Sequence, residues 1–147
     1  MGLLTEIGSG PVALDSAAFI YFIERNPRYL ALVKPIFKAI DEGRLEGVTS
    51  SLTLLETLVV PLRTGNMVIA RQYERLLTRS RLRLVEIDFA LIRAAAHVRA
   101  ATRLKTPDAI QVASALSAGC EVFVTNDDRI APMPGLRILQ LERYSEP

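Results

Sequence analysis

The chain has 147 residues, half of them hydrophobic, with a formal net charge of +2 and a single cysteine, Cys120. That length supports one domain with a substantial core but not two, and one cysteine excludes an internal disulfide or a Cys-rich zinc site. Residues 1–10 lack a basic segment followed by an apolar run, and no apolar stretch reaches the ~18–20 residues of a membrane span. A soluble, cytoplasmic protein is therefore expected, with residues 1–10 as a short N-terminal extension. The small net charge names no partner by itself. Once several acids are assigned to a site, however, the remaining surface is basic, which fits a polyanionic substrate.

In chain order, the apolar run Pro11-Val12-Ala13-Leu14 reads as a buried strand ending on Asp15, and Ser16 opens a helix to about Arg25. Asn26-Pro27 punctuates. A second helix is expected from about Arg28 to Asp41, where Leu32, Val33, Ile36, Phe37 and Ile40 recur at helical spacing. Gly43 and Gly47 frame a turn into a very short strand around Val48. Ser50 or Ser51 then caps a helix from Leu52 to about Leu62, and Gly65-Asn66 breaks it. Helices over Met67–Ser80 and Phe89–Thr102 flank a strand at Leu82–Ile87. Thr106-Pro107 restarts a helix, with Thr106 as N-cap and Pro107 at the first helical position, and Gly119 stops it. Glu121–Val124 and Leu136–Leu139 read as the last strands. Strands alternate with helices along most of the chain, which predicts an α/β fold of three layers with a parallel sheet between helices.

Ligands of open parallel sheets bind at the carboxyl ends of the strands, beside helix N-termini. Asp15 falls at the end of the first strand, Asp127 just past the strand at 121–124, and Asp108 in the first turn of the helix opened by Thr106. All three are expected on one rim, although each taken singly also suits a turn, a cap or a helix dipole. Glu56 differs. Its helix neighbours are Leu52, Leu54, Leu55, Val59 and Val60, with no lysine or arginine within a turn. On that pattern Glu56 points into protein, where an unpaired carboxylate costs several kcal/mol by rough estimate, unless the helix edge lets it reach solvent. A bound cation is the simplest compensation. Oxygen-only ligation without nearby histidine or cysteine favours Mg²⁺ or Mn²⁺, and the chemistry so implied is metal-assisted phosphodiester hydrolysis by water.

Four stretches carry a family resemblance: Leu14-Asp15-Ser16, Leu55-Glu56, Thr106-Pro107-Asp108-Ala109-Ile110 with Ala113 following, and Val124-Thr125-Asn126-Asp127. In order and spacing they resemble the PIN domain, and most closely the toxin nucleases of VapBC toxin–antitoxin pairs, over essentially the whole chain after residue 10. The tail Pro134–Leu139 resembles the family's closing strand. The resemblance implies a central, mostly parallel five-stranded sheet, RNA as substrate, and a Mg²⁺ or Mn²⁺ site. In that scheme Asp15, Glu56 and Asp108 form the metal-binding core, Asp127 completes it, and the hydroxyls of Ser16 and Thr125 support the shell. It also implies homodimers and a small antitoxin partner that occludes the site. Two positions depart from the usual pattern: Ala17 stands where a small polar residue is common, and Ile130 stands near a common aromatic. Neither removes a carboxylate, and Asp128 could share the role of Asp127. The alternatives are a PIN nuclease of RNA processing without an antitoxin, and a metal- or RNA-binding module that does not cleave. A haloacid-dehalogenase-type phosphatase is disfavoured, because Asp15-Ser16-Ala17 has no second Asp two residues on.

Arg129 lies two residues from Asp127 and is a candidate contact for RNA phosphate. Arg71, Arg75 and Arg79 form a helical ridge, with Arg81 and Arg83 beyond, that reads either as a phosphate-tracking surface or as a solvated face partly paired with Glu74. His97, the one histidine, sits mid-helix among alanines and reads as structural, not as a general base. Cys120 reads as a buried small hydrophobe, and Tyr21 and Phe22 as core or dimer contacts.

Overall fold

The structure, a computed structural model, describes residues 2–146. Met1, Pro147 and the side chain of Arg79, part of the basic ridge named above, lie outside the described residues. Strands β1 (Val12–Leu14), β2 (Gly47–Ser50), β3 (Arg83–Val85), β4 (Val122–Thr125) and β5 (Arg137–Gln140) form one sheet in the order β3-β2-β1-β4-β5, with every pairing parallel. All-parallel sheets need both faces covered, which accounts for the apolar runs at β1 and β4. Here side chains alternate across the sheet. Val12, Leu14, Val122 and Val124 pack on one face with helices α1 (Leu3–Ile7), α2 (Ser16–Ile23), α3 (Leu30–Asp41) and α5 (Met67–Arg79). Ala13, Val48 and Phe123 pack on the other with α6 (Phe89–Ala101) and α7 (Thr106–Ser117). The remaining helix, α4 (Leu52–Thr64), follows β2 directly. Among the described residues no helix is long and apolar enough to cross a membrane.

The strand order fixes where a ligand can enter. From β1 the chain steps outward through β2 to β3, then returns to the opposite side of β1 for β4 and β5. The connections leaving β1 and β4 therefore diverge above their carboxyl ends, and that crevice is where open α/β sheets bind ligands.

Several element ends differ from the sequence reading for local reasons. The first long helix stops at Ile23, and Arg25 follows with φ 52°. The Asn26 side chain then accepts from the amides of Arg28 and Tyr29, an Asx turn that delays α3 to Leu30. β2 runs the four residues Gly47–Ser50 where a shorter piece around Val48 was expected. At Gly47 a Cβ would stand 2.4 Å from Ile40 Cδ1 and 3.1 Å from Leu82 Cδ2, so a larger residue would force these two side chains to shift. β3 is confined to Arg83–Val85. Thr106 is not the N-cap of α7. Lys105 occupies that position, and the Thr106 hydroxyl accepts from Arg99 Nη1 at 3.1 Å. Residues Leu3–Ile7, expected only as an extension, form α1, with Leu3 and Ile7 buried in the core.

Candidate active site

Asp15 leaves β1 at the N-cap position of α2, and Ser16 is the first helical residue. Thr125, the last residue of β4, lies beside it because β1 and β4 pair, and its buried hydroxyl donates to Asp15 Oδ2. The other carboxylate oxygen, Oδ1, is sealed from solvent and has no hydrogen-bond partner among the described residues. Burial is the main reason the Asp15 pKa is pushed up to about 6. The Thr125 hydroxyl and the nearby amides of Ala17 and Ala18 pull it back in part, and Glu56 raises it further. A buried carboxylate so placed, beside a crevice lined by other acids, has the chemistry to take a cation.

Glu56 reaches the crevice from the second turn of α4, and the structure corrects the reason. The buried stripe of α4 is Thr53, Thr57 and Pro61, not its leucines and valines. Leu55 and Val60 are 60% and 62% exposed. Glu56 is half-buried and does have a partner: Gln111 Nε2 donates to its Oε1 at 3.0 Å. The same Nε2 donates to Thr53 Oγ1 at 2.9 Å, Thr53 shares a 2.7 Å hydrogen bond with Thr49, and Thr49 donates to the Leu14 carbonyl. This relay of hydroxyls pins α4 and α7 to β1, one residue before Asp15. Desolvation raises the Glu56 pKa, Gln111 and Ser16 oppose it, and the charge of Asp108 adds to it. Sequence reasoning overlooked Gln111. Its signal was a lone amide three residues after Asp108, on the same helix face and inside the buried run Ala109–Ala115.

Asp108, in the first turn of α7, has its pKa raised by desolvation and then by Asp127, against the opposing pull of Arg129 and Lys105. Asp127 follows β4 and receives its backbone order from Thr125, whose Oγ1 accepts from the Asp127 amide at 3.0 Å. Its carboxylate is taken by Arg129: Nη2 lies 2.6 Å from Oδ2 and Nε 2.9 Å from Oδ1. Arg129 holds the Asp127 pKa below the usual carboxylate range, and its Nη2 also stands 3.6 Å from Asp108 Oδ2. One exposed guanidinium thus spans two acids.

Asp15, Ser16, Glu56, Asp108, Gln111, Asp127, Asp128 and Arg129 all line one open cavity of about 390 Å³, together with Ala17, Tyr21, Asn126 and Ile130. The structure brings together every acid singled out from sequence. Among the described residues no three acid, histidine or cysteine side chains already stand in a cluster that could hold a metal ion. Asp127 is turned to Arg129 and Glu56 to Gln111. The donor set nevertheless suits a hard divalent cation: four carboxylates, an orphaned acceptor on Asp15, and two hydroxyls, with no competing nitrogen or sulfur ligand. Asp128 is exposed and carries none of the hydrogen bonds that fix Asp127. Ile130 is buried beneath the loop.

The remaining candidates separate cleanly. Tyr21 stacks on Tyr29 at 4.7 Å and accepts from Asn126 Nδ2, so it lines the crevice and orders the loop before Asp127. Phe22 stacks on Phe37 at 4.4 Å and belongs to the core side. His97 is exposed on α6 and does not line the acid cavity. Cys120 is buried and its thiol is pushed up to about 11, mainly by burial. Arg71 and Arg75 are exposed on α5 and line a shallow hollow that shares no residue with the acid cavity. Among the described residues no ion pair joins either of them to Glu74.

A wholly parallel five-stranded sheet with acids gathered at its switch point defines an α/β protein with a polar, carboxylate-lined site. The chain belongs to the PIN domain family, whose model matches residues 12–136. No curated protein sequence gives a significant match. Solved structures similar in fold include a toxin–antitoxin complex from Klebsiella pneumoniae (18% identity, TM-score 0.67, covering 88% of this chain and 97% of that one). VapBC2 from Rickettsia felis, bound to a promoter DNA fragment, is similar at 15% identity and TM-score 0.66, with 88% and 97% covered. Mycobacterium tuberculosis VapC20, a sarcin–ricin-loop-cleaving toxin, is similar at 14% identity and TM-score 0.62, with 76% and 86% covered.

Proposed function

We propose that this chain is a Mg²⁺- or Mn²⁺-dependent endoribonuclease and the toxin of a toxin–antitoxin pair, acting in the cytoplasm. The observation that carries the reading is the convergence of Asp15, Glu56, Asp108 and Asp127, from four separate elements, on one switch-point cavity with an unpartnered, sealed oxygen on Asp15. Membership of the PIN family supports a nuclease, and the fold neighbours among toxin–antitoxin complexes support the toxin half. RNA as substrate draws on the family resemblance and on the sarcin–ricin-loop cleavage ascribed to one fold neighbour. An antitoxin and a second copy of the chain are the partners this reading implies. Apolar side chains that α4 and α5 leave exposed, such as Leu55, Val60 and Val68, are available to them.

In this reading Asp15, Glu56 and Asp108 are the metal ligands, Asp127 completes the set, and Ser16 and Thr125 support the ligands' orientation. A divalent ion so held would lower the pKa of a water and offset charge on a phosphoryl oxygen. The chain's own contribution is positioning. Thr125 fixes one face of Asp15, Gln111 fixes Glu56, and the Thr53–Thr49 relay ties both to the sheet. Arg129, paired with Asp127 and Asp108, is available to a substrate phosphate once those acids turn to a metal. The test is cleavage of a panel of single-stranded and structured RNAs with and without Mg²⁺ or Mn²⁺. Asp15→Asn and Asp108→Asn are expected to abolish cleavage while the folded circular dichroism spectrum persists. Undiminished cleavage by both purified variants would sink the site assignment.

A further inference from the structure

Beside the acid cavity lies a second cavity of about 400 Å³, and the two share Asp108 and Arg129 as their common wall. Its character is different. The α6–α7 corner supplies Arg103, Leu104 and Lys105, and the loop after Ile130 supplies Pro132 and Met133. The lining thus combines cations with apolar side chains and holds no carboxylate except the shared Asp108. The cavity's volume falls within the range of roughly 300–1,000 Å³ typical of small-molecule clefts.

Both walls are held in advance. In the corner, Arg99 Nε donates to the Leu104 carbonyl at 3.1 Å, its Nη1 donates to Thr106, and Thr102 Oγ1 accepts from the Leu104 amide. Across the cavity, Met133 and Leu136 close a backbone bridge, while Gln140 Nε2 donates to the carbonyls of Asp127 and Ile130. The backbone of both walls is thus tied down, which lowers the cost of capturing a ligand.

From this juxtaposition we infer that the second cavity is a subsite for the unpaired nucleotide adjoining the phosphate presented to the acids. Arg103 and Lys105 would take its phosphate charge, with Arg129 still paired to Asp127 and Asp108 at the shared wall, and Leu104, Pro132 and Met133 would receive the base. The inference rests on the nuclease reading for its substrate, but the cavity's chemistry is independent of it. A duplex cannot place a base there without unstacking it, so the subsite selects single-stranded or looped RNA. The side chains of Arg103 and Lys105 are exposed and make no hydrogen bond among the described residues, and the Lys105 carbonyl that accepts from Ala109 is kept in a glutamine, so both can be altered without disturbing the fold.

Two measurements test it. Met133 stands in the cavity while Met67 lies on α5, so ¹³C-methyl methionine spectra of the metal-free protein separate the site from the rest. Adenosine 5′-monophosphate is expected to shift the Met133 signal saturably and leave Met67 in place, and R103Q/K105Q should weaken that binding by about tenfold. A Met133 signal that adenosine 5′-monophosphate does not move overturns the subsite, whether or not the protein cleaves RNA. In the second arm, R103Q/K105Q is expected to raise KM for single-stranded RNA by about tenfold with kcat changed less than about twofold. K34Q/K38Q removes the same charge from α3 as a control. An unchanged KM in R103Q/K105Q, or an equal rise in K34Q/K38Q, overturns the assignment while leaving the nuclease reading intact. Absence of cleavage by the wild type, with the Met133 shift present, would overturn the nuclease reading and leave the nucleotide site standing.

Discussion

Replacing Asp15 by asparagine in the metal-free protein isolates one carboxylate whose surroundings favour its neutral form. Among the described residues its Oδ1 is sealed without a hydrogen-bond partner and Thr125 is the one side chain that bonds Oδ2, while Glu56 adds negative charge nearby. Moving a carboxylate from 3.8 to about 6 corresponds to about 3 kcal/mol of preference for the protonated state. Because the folded-state pKa is raised, the associated stability is complete below pH 3.8 and is lost as pH rises through about 6. Asp15→Asn cannot ionise, so at pH 8 without metal it should be the more stable protein by up to about 3 kcal/mol. For a chain of this size that is roughly 6–12 °C in melting temperature. The two proteins should converge near pH 4. Glu56 and Asp108 are raised as well, and Asp127 is lowered, so comparison of variant with wild type, not the wild-type curve alone, isolates Asp15. Thermal unfolding in EDTA across pH 4–8, repeated with Mg²⁺ at pH 8, is the assay. Mg²⁺ should raise the wild-type midpoint more than that of Asp15→Asn. A variant no more stable than wild type at pH 8 would refute the burial argument. An equal response to Mg²⁺ would refute the ligand role.

The other outcomes concern the groups that orient the acids. Gln111→Leu removes one buried and one half-buried hydrogen bond and takes from Thr53 and Glu56 the donor they share, an expected loss of about 1–3 kcal/mol in urea unfolding together with reduced cleavage. A variant as stable as wild type would show that the relay contributes nothing. Arg129→Gln releases Asp127 and Asp108, so Mg²⁺ affinity by calorimetry should tighten by roughly two- to fivefold. Weaker Mg²⁺ binding would mean that Arg129 assists the ion instead of competing with it.

What the sequence made legible follows from how local each signal is. β1 and β4 were readable because strands buried on both faces are continuous apolar runs, and Asp15 and Asp127 follow directly from their ends. Asp108 was readable from Thr106-Pro107, although the cap itself is Lys105. Glu56 was identified for a reason that the structure only partly bears out: Leu55, Val59 and Val60 face outward, Leu52, Leu54 and Leu58 are half-buried against the core, and Thr53 and Thr57 fill the fully buried stripe. A hydroxyl-lined contact with the Gln111 face of α7 leaves no hydrophobic periodicity to detect. Gln111 and the Arg129 clamp depend on which elements adjoin across the sheet, and neither spacing nor composition encodes that.

The two outermost strands have a further consequence. β3 spans only Arg83–Val85 and β5 only Arg137–Gln140, and each begins on an exposed arginine. A short, charged border gives an incoming strand few backbone groups to pair with and a charge to bury. Both margins of the sheet are thus poor templates for extension, whether by another copy during folding or by a foreign extended peptide.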